Sequence, residues 1–208
     1  MSTTTEQEIL HKLTVLTKDK NSWPLRISNV AVEMSHLSIR VRAKALWLLG
    51  EMGLLYAEQV SPHVEAIARF LTAKEALLRE RALNALGRIG RGDYSLIEPY
   101  LPGMRLLASD GEPPVRLAFI WACENIATNA PELFENDMPL FAALLGDGND
   151  RVRIEAPEIV RVLGKRKPDY VMPYLSLLKE SVENDPERVV RIHVAGVIRA
   201  AEKNGSAK

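Results

Sequence analysis

The chain has 208 residues, 47% hydrophobic and 26% charged, the composition of an ordinary soluble globular protein. Its 27 basic side chains balance its 27 acidic ones, so no net charge draws the whole molecule onto nucleic acid or anionic lipid. The single cysteine, Cys123, rules out an intrachain disulfide and argues against a cysteine-based zinc site.

In chain order, the opening "MSTTTEQEIL" lacks the basic-then-apolar order of a signal peptide. No apolar run reaches the length needed to cross a bilayer, and a cytoplasmic protein without a membrane partner is expected. Thr5 and Glu8 fit a capping box that opens a helix over about 6–18. Paired helices follow at 23–34 and 39–52, then 61–72 and 76–89. In "SPHVE", Ser61 is expected as an N-cap with Pro62 at the first helical position, where its missing N–H costs nothing. Further pairs read 95–108 and 113–127, 132–145 and 150–163, and 169–182 and 187–201. Pro157 falls inside one of these helices and is expected to kink it. The tail "EKNGSAK" is expected to fray. No strand is predicted.

The second helix of each pair repeats. "VRAKALWLLGEMG" at 41–53 returns as "LRERALNALGRIG" at 78–90. Arg42, Arg79, Arg116 and Arg153 stand 37 residues apart, and Arg191 follows 38 later. Apolar residues at −1, +3, +7 and +10 from each arginine mark one buried helical stripe, which includes Cys123 as an inert thiol. Periods of this length mean stacked units, because one helical hairpin cannot bury its apolar face alone.

Six residues before three of these arginines stands an aspartate: Asp110, Asp147 and Asp185. An Asp followed by Val-Arg between two helices, in a unit of about 37, resembles the HEAT repeat, most closely the short bacterial and archaeal kind of the phycobilisome-lyase type. The first two units depart from the pattern, with His36 and Ala73 at the aspartate position. The resemblance implies an all-α, right-handed α-solenoid of about five HEAT-like hairpins. Its units would span 22–57, 58–93, 94–130, 131–167 and 168–201, behind a capping segment 1–21 and ahead of a flexible tail 202–208. It also implies that Asp110, Asp147 and Asp185 tie neighbouring units together with Arg116, Arg153 and Arg191, through charge-assisted hydrogen bonds at the turns.

In HEAT-type solenoids the second helices line the concave side. Five residues after each anchor, outside the apolar stripe, come Trp47, Asn84, Trp121, Glu158 and Gly196. Trp47 and Trp121 lie two repeats apart in one column, and either cover gaps beside neighbouring helices or face a ligand. With Glu51, Arg81, Asn84, Arg88, Asn125 and Glu158 they form the candidate partner-binding set, because Trp and Arg anchor binding surfaces.

The four histidines show no ligand spacing of three or four, and "LGDGND" at 145–150 lacks the spacing of a calcium loop, so no metal is expected. No P-loop, dinucleotide turn or nucleophile elbow occurs, so no cofactor or catalytic residue is assigned.

The expected function is a non-catalytic scaffold that holds a protein or peptide partner. Two enzymatic alternatives follow from resemblance: a HEAT-like alkylpurine DNA glycosylase and a bilin lyase. The glycosylases carry an aspartate among their cleft tryptophans, whereas Glu51 and Asn125 stand four residues after Trp47 and Trp121. Residues 92–149 hold 2 basic and 9 acidic side chains, which argues against a nucleic-acid partner.

Overall fold

The computed structural model describes residues 5–205, and every regular element among them is helical. Helix α1 (Glu6–Leu16) opens on the expected capping box: the Glu8 amide donates to the Thr5 hydroxyl at 3.3 Å and the Thr5 amide to the Glu8 carboxylate at 2.8 Å. Helices α2 (Trp23–Val32) and α3 (Ile39–Leu55) form the first hairpin. Then come α4 (Ala57–Val60), α5 (Val64–Ala68), α6 (Ala76–Gly92), α7 (Leu101–Leu106) and α8 (Pro113–Ala127). Helices α9 (Met138–Leu145), α10 (Asp150–Arg166), α11 (Pro168–Val171), α12 (Leu175–Asn184) and α13 (Arg188–Gly205) complete the chain.

The long helices α3, α6, α8, α10 and α13 begin within a residue of the expected positions. The first of the helices that precede them, expected at 23–34, runs unbroken from Trp23 through a closing 3₁₀ turn at Glu33–Ser35, whereas the other four differ from expectation because each is broken. Pro62, Pro99 and Pro173 sit in 3₁₀ turns at Ser61–His63, Glu98–Tyr100 and Met172–Tyr174. A proline in mid-helix removes one backbone bond and crowds the carbonyl four residues back, so the run changes direction there. Ser61 is therefore no N-cap. Its backbone is already helical, and its hydroxyl donates to the Glu58 carbonyl at 2.7 Å. The helical start moves upstream, to residues 57, 94, 131 and 168, again 37 apart. Each of the last four repeats thus has three pieces: a short turn, a middle helix and a long helix.

The chain divides into two compact units, one ending at Arg105 and one beginning at Leu106. In the first, α3 packs against α1, α2 and α6. Ile27 and Val30 of α2, Leu46, Leu49 and Met52 of α3 and Leu78, Leu83 and Ile89 of α6 are all buried, each contributing about 1.5–3 kcal/mol of transfer free energy. Trp23 joins them, 1% exposed, with its indole N–H bonded to the Leu16 carbonyl at 2.8 Å. The α3–α6 contact depends on Gly50, where a Cβ would lie 2.6 Å from the Ala85 Cα.

In the second unit, α10 packs against α8, α9 and α13, and α12 covers α13. Phe141 joins Phe119 and Phe134 in the core, with ring centroids 6.2 and 6.1 Å apart. Cys123 is buried in the apolar stripe of α8. Helix α10 runs through the buried Pro157 without ending. The segment from Glu202, expected to fray, is helical as far as Gly205, and residues 206–208 lie outside the described residues.

Candidate functional site

The long helices carry the candidate residues. In the first unit, Lys44, Trp47 and Glu51 follow one another at spacings of three and four along α3, which puts them on one face. Arg81, Asn84 and Arg88 do the same on α6. The two rows are in register, since the Arg88 Nε lies 2.7 Å from the Glu51 Oε1. Trp47 is partly exposed, unlike Trp23, and the Lys44 Nζ sits 4.2 Å from its ring centroid. Burial, and then the nearby Arg81 guanidinium, pull the Lys44 ammonium below its ordinary pKa. Arg81 is met by the Glu80 carboxylate at 3.5 Å.

In the second unit, Trp121 of α8 is also partly exposed, and its indole N–H donates to the Glu155 carboxylate of α10 at 3.4 Å. The Asn125 amide donates to the Trp121 carbonyl at 2.8 Å, one turn back on its own helix. Glu158 is engaged on two sides: Arg161 donates to it from the next turn, and the His193 ring of α13 stands 3.7 Å away. The His193 Nδ1 also lies 3.0 Å from the Ile154 carbonyl. His193 thus belongs to this face together with Glu155, although the sequence reading left His193 out. The signal was present in the repeat: two residues after each anchor come Lys44, Arg81, Ala118, Glu155 and His193.

The anchor arginines face the turns. Arg116 donates twice to the Asp147 carboxylate, both bonds at 2.7 Å, and once to the Asp110 carbonyl at 2.7 Å. Arg153 keeps part of the arrangement one unit on: its Nη1 donates to the Asp147 carbonyl at 2.7 Å and its Nε stands 3.3 Å from the Asp185 carboxylate, while its Nη2 donates to Asp150 of its own helix at 2.7 Å. Arg191 donates to the Asp185 carbonyl at 2.6 Å. The partner six residues back is therefore a backbone carbonyl, and the partner carboxylate belongs to the following repeat. Each aspartate also accepts from the amide two residues on: Glu112 for Asp110, Asn149 for Asp147 and Glu187 for Asp185. Burial alone would raise the Asp147 carboxyl, but the Arg116 hydrogen bond, the Asn149 amide and the charges of Arg116 and Arg153 outweigh it and hold it below its usual value. Asp147 in turn raises Arg116.

No family model and no curated protein sequence matches the chain. Solved structures do. A designed armadillo repeat protein in complex with the peptide (KR)4 superposes with a TM-score of 0.69 at 17% identity, over 96% of this chain and 95% of that one. A computationally designed armadillo repeat protein for modular peptide recognition superposes with a TM-score of 0.63 at 16% identity, over 94% of each chain. A Kap121p mutant matches with a TM-score of 0.68 at 16% identity, over 89% of this chain and 22% of that one.

The fold is an armadillo-type α-solenoid. The short turn, middle helix and long helix of each later repeat agree with it, since armadillo units have three helices where HEAT units have two. The sequence pattern showed two because the short turn is hidden ahead of the proline. A concavity of about 810 Å³ lies elsewhere, between α1 and α2, lined by residues such as Ile9, Leu13, Leu16, Arg26, Val30 and Glu33. None of the candidate residues lines it. Among the described residues, no cluster of His, Cys, Asp and Glu could hold a metal ion, and no helix is long and apolar enough to cross a membrane.

Proposed function

We propose that this armadillo-type chain is a non-catalytic scaffold that holds a protein or peptide segment on the faces of its long helices. One face is α3 with α6 in the first unit; the other is α8 with α10 in the second. The reading rests on one observation. Trp47 and Trp121 occupy the same repeat position, and each leaves its indole partly exposed among charged and amide side chains, whereas Trp23 is sealed in the core. Exposed aromatic rings beside Arg, Asn and Glu are the anchors of binding surfaces. The designed armadillo protein complexed with (KR)4 supports the peptide reading by analogy of fold. Under this proposal Glu51, Arg81, Asn84, Arg88, Asn125 and Glu158 orient the segment through polar contacts. The Arg–Asp pairs at the turns hold adjacent repeats in register.

The test is selection from a random peptide library, followed by affinity measurement for Trp47→Ala and Trp121→Ala. Because both rings are partly exposed, each truncation should cost only about 1–2 kcal/mol of stability, below the ~3–5 kcal/mol of a fully buried Trp. At least one of the two should weaken the selected peptides tenfold or more. A library that enriches no peptide, or peptides bound equally well by both variants, refutes the proposal.

A further inference from the structure

The α3–α6 face carries a cation that no carboxylate answers. Arg88 is neutralised by Glu51 at 2.7 Å, and Arg81 is met by Glu80 at 3.5 Å. Lys44 is instead held over the Trp47 ring, and among the described residues no carboxylate lies within ion-pair distance of its ammonium. Folding has therefore brought Lys44 towards Arg81 on a half-buried surface, where two like charges oppose each other. A bound anion would relieve that opposition. Trp47 fixes the direction of the ammonium by its ring quadrupole, so the group is preorganised for a ligand rather than sweeping through solvent.

Resting on the scaffold reading above, we infer that the Lys44–Trp47–Arg81 end of this face takes a carboxylate side chain from an acidic peptide segment. The carboxylate would accept charge-assisted hydrogen bonds from Lys44 and Arg81, and its aliphatic stem would lie against the exposed indole edge. Charge complementarity selects this occupant. A basic segment of the (KR)4 kind would meet Lys44 and Arg81 head on. A nucleic-acid strand would need many cation contacts, yet Glu51 and Glu80 stand on the same two helices and would repel its phosphates. One spare cation beside two paired ones suits a single carboxylate set among neutral residues.

The experiment is fluorescence anisotropy with three labelled probes: a Ser-rich peptide with a single central Glu, the same peptide with Lys in its place, and a single-stranded oligonucleotide. Each is titrated with the wild-type chain and with Lys44→Met and Arg81→Gln, and every variant is also melted. The acidic peptide should bind, weaken about tenfold in Lys44→Met, weaken further with added salt, and leave the melting temperature within a few degrees. Tighter binding of the basic peptide overturns the charge assignment but leaves the scaffold reading standing. Acidic-peptide binding unchanged in both variants overturns the assignment to this face. Oligonucleotide binding that is lost in Lys44→Met replaces the peptide by nucleic acid. No binding by any probe overturns the inference, and the library selection above then decides whether the scaffold reading falls with it.

Discussion

Replacing Ala73 by aspartate should stabilise the first unit. The anchor Arg42 is separated from Ala73 by the same 31 residues that separate Arg116 from Asp147. Arg116 finds a carboxylate there; Arg42 finds a methyl group, and its Nε is buried with no hydrogen-bond partner. The backbone is ready for the change. Ala73 has φ −63° and ψ 144°, close to the −57° and 143° of Asp110. Its carbonyl already accepts from Arg79 at 2.8 Å, as the Asp147 carbonyl accepts from Arg153. In Ala73→Asp the new carboxylate should accept from Arg42 and, by analogy with Asp147, from the Glu75 amide. A hydrogen bond between charged groups contributes about 1.5–3 kcal/mol, and desolvating the new carboxylate takes back part of it, leaving about 2 kcal/mol. For a chain of this length that is roughly 4–8 °C in melting temperature. The assay is a double-mutant cycle with Arg42→Met, read by thermal and urea unfolding. Arg42→Met alone should cost little, whereas in the Ala73→Asp background it should remove the gain. A coupling energy below about 0.5 kcal/mol, within ordinary additivity, would refute the reasoning.

Two further predictions concern packing and charge. Asp147→Asn should cost about 3 kcal/mol at neutral pH, because it breaks a buried pair whose side chains are 8% and 15% exposed and leaves Arg116 uncompensated. Asp147 has a folded pKa below its unfolded value of about 4, so its contribution is fully present above that value and disappears as pH falls through the folded one. Urea midpoints of the wild type and Asp147→Asn should therefore converge as pH is lowered through the acid range, and a constant difference would contradict the pair. Gly50→Ala should cost about 1–3 kcal/mol despite the better helix propensity of alanine, because the new methyl meets backbone at Ala85; a stabilised variant in calorimetry would show that α3 and α6 separate freely.

The long helices were legible because burial dictates their pattern. Apolar residues at −1, +3, +7 and +10 leave little choice of face, and Val41, Ala45, Leu49 and Met52 are all fully buried. The middle helices were legible only in outline. A proline reads locally either as a helix start or as a break, and Pro62 shows how the choice is made: Val60, two residues earlier, is fully buried and ends the helical turn Ala57–Val60, so the helix has already begun. The candidate faces were half legible. Column arithmetic places Trp47 and Trp121 correctly outside the stripe. It does not show that Glu158 is also engaged by Arg161 and His193, because the second contact depends on how far α13 reaches across α10.

The one irregularity of the repeat shows how tightly the turns are set. The short helical pieces start at 57, 94, 131 and 168, so the spacing is still 37 at the last of them. The aspartates, however, run 110, 147 and 185, so the extra residue lies between Pro168 and Asp185. Helix α12 absorbs it. Where the second and third repeats close their middle helices with 3₁₀ turns at Arg69–Thr72 and Leu107–Ser109, α12 continues as an α-helix to Asn184. Exchanging a 3₁₀ turn for an α turn takes up one residue with little change of length, since the α rise is about 1.5 Å per residue against about 2.0 Å. The Asp185 carboxylate is thereby kept within reach of Arg153, yet the fit loosens, from two 2.7 Å bonds at Arg116–Asp147 to a single 3.3 Å approach. An insertion that left the turn unpaired would have left the Arg153 guanidinium, 13% exposed, with only Asp150 of its own helix as a carboxylate partner. Loss of this buried pair between repeats is the cost that favours placing the extra residue inside a helix over placing it in the turn that carries the aspartate.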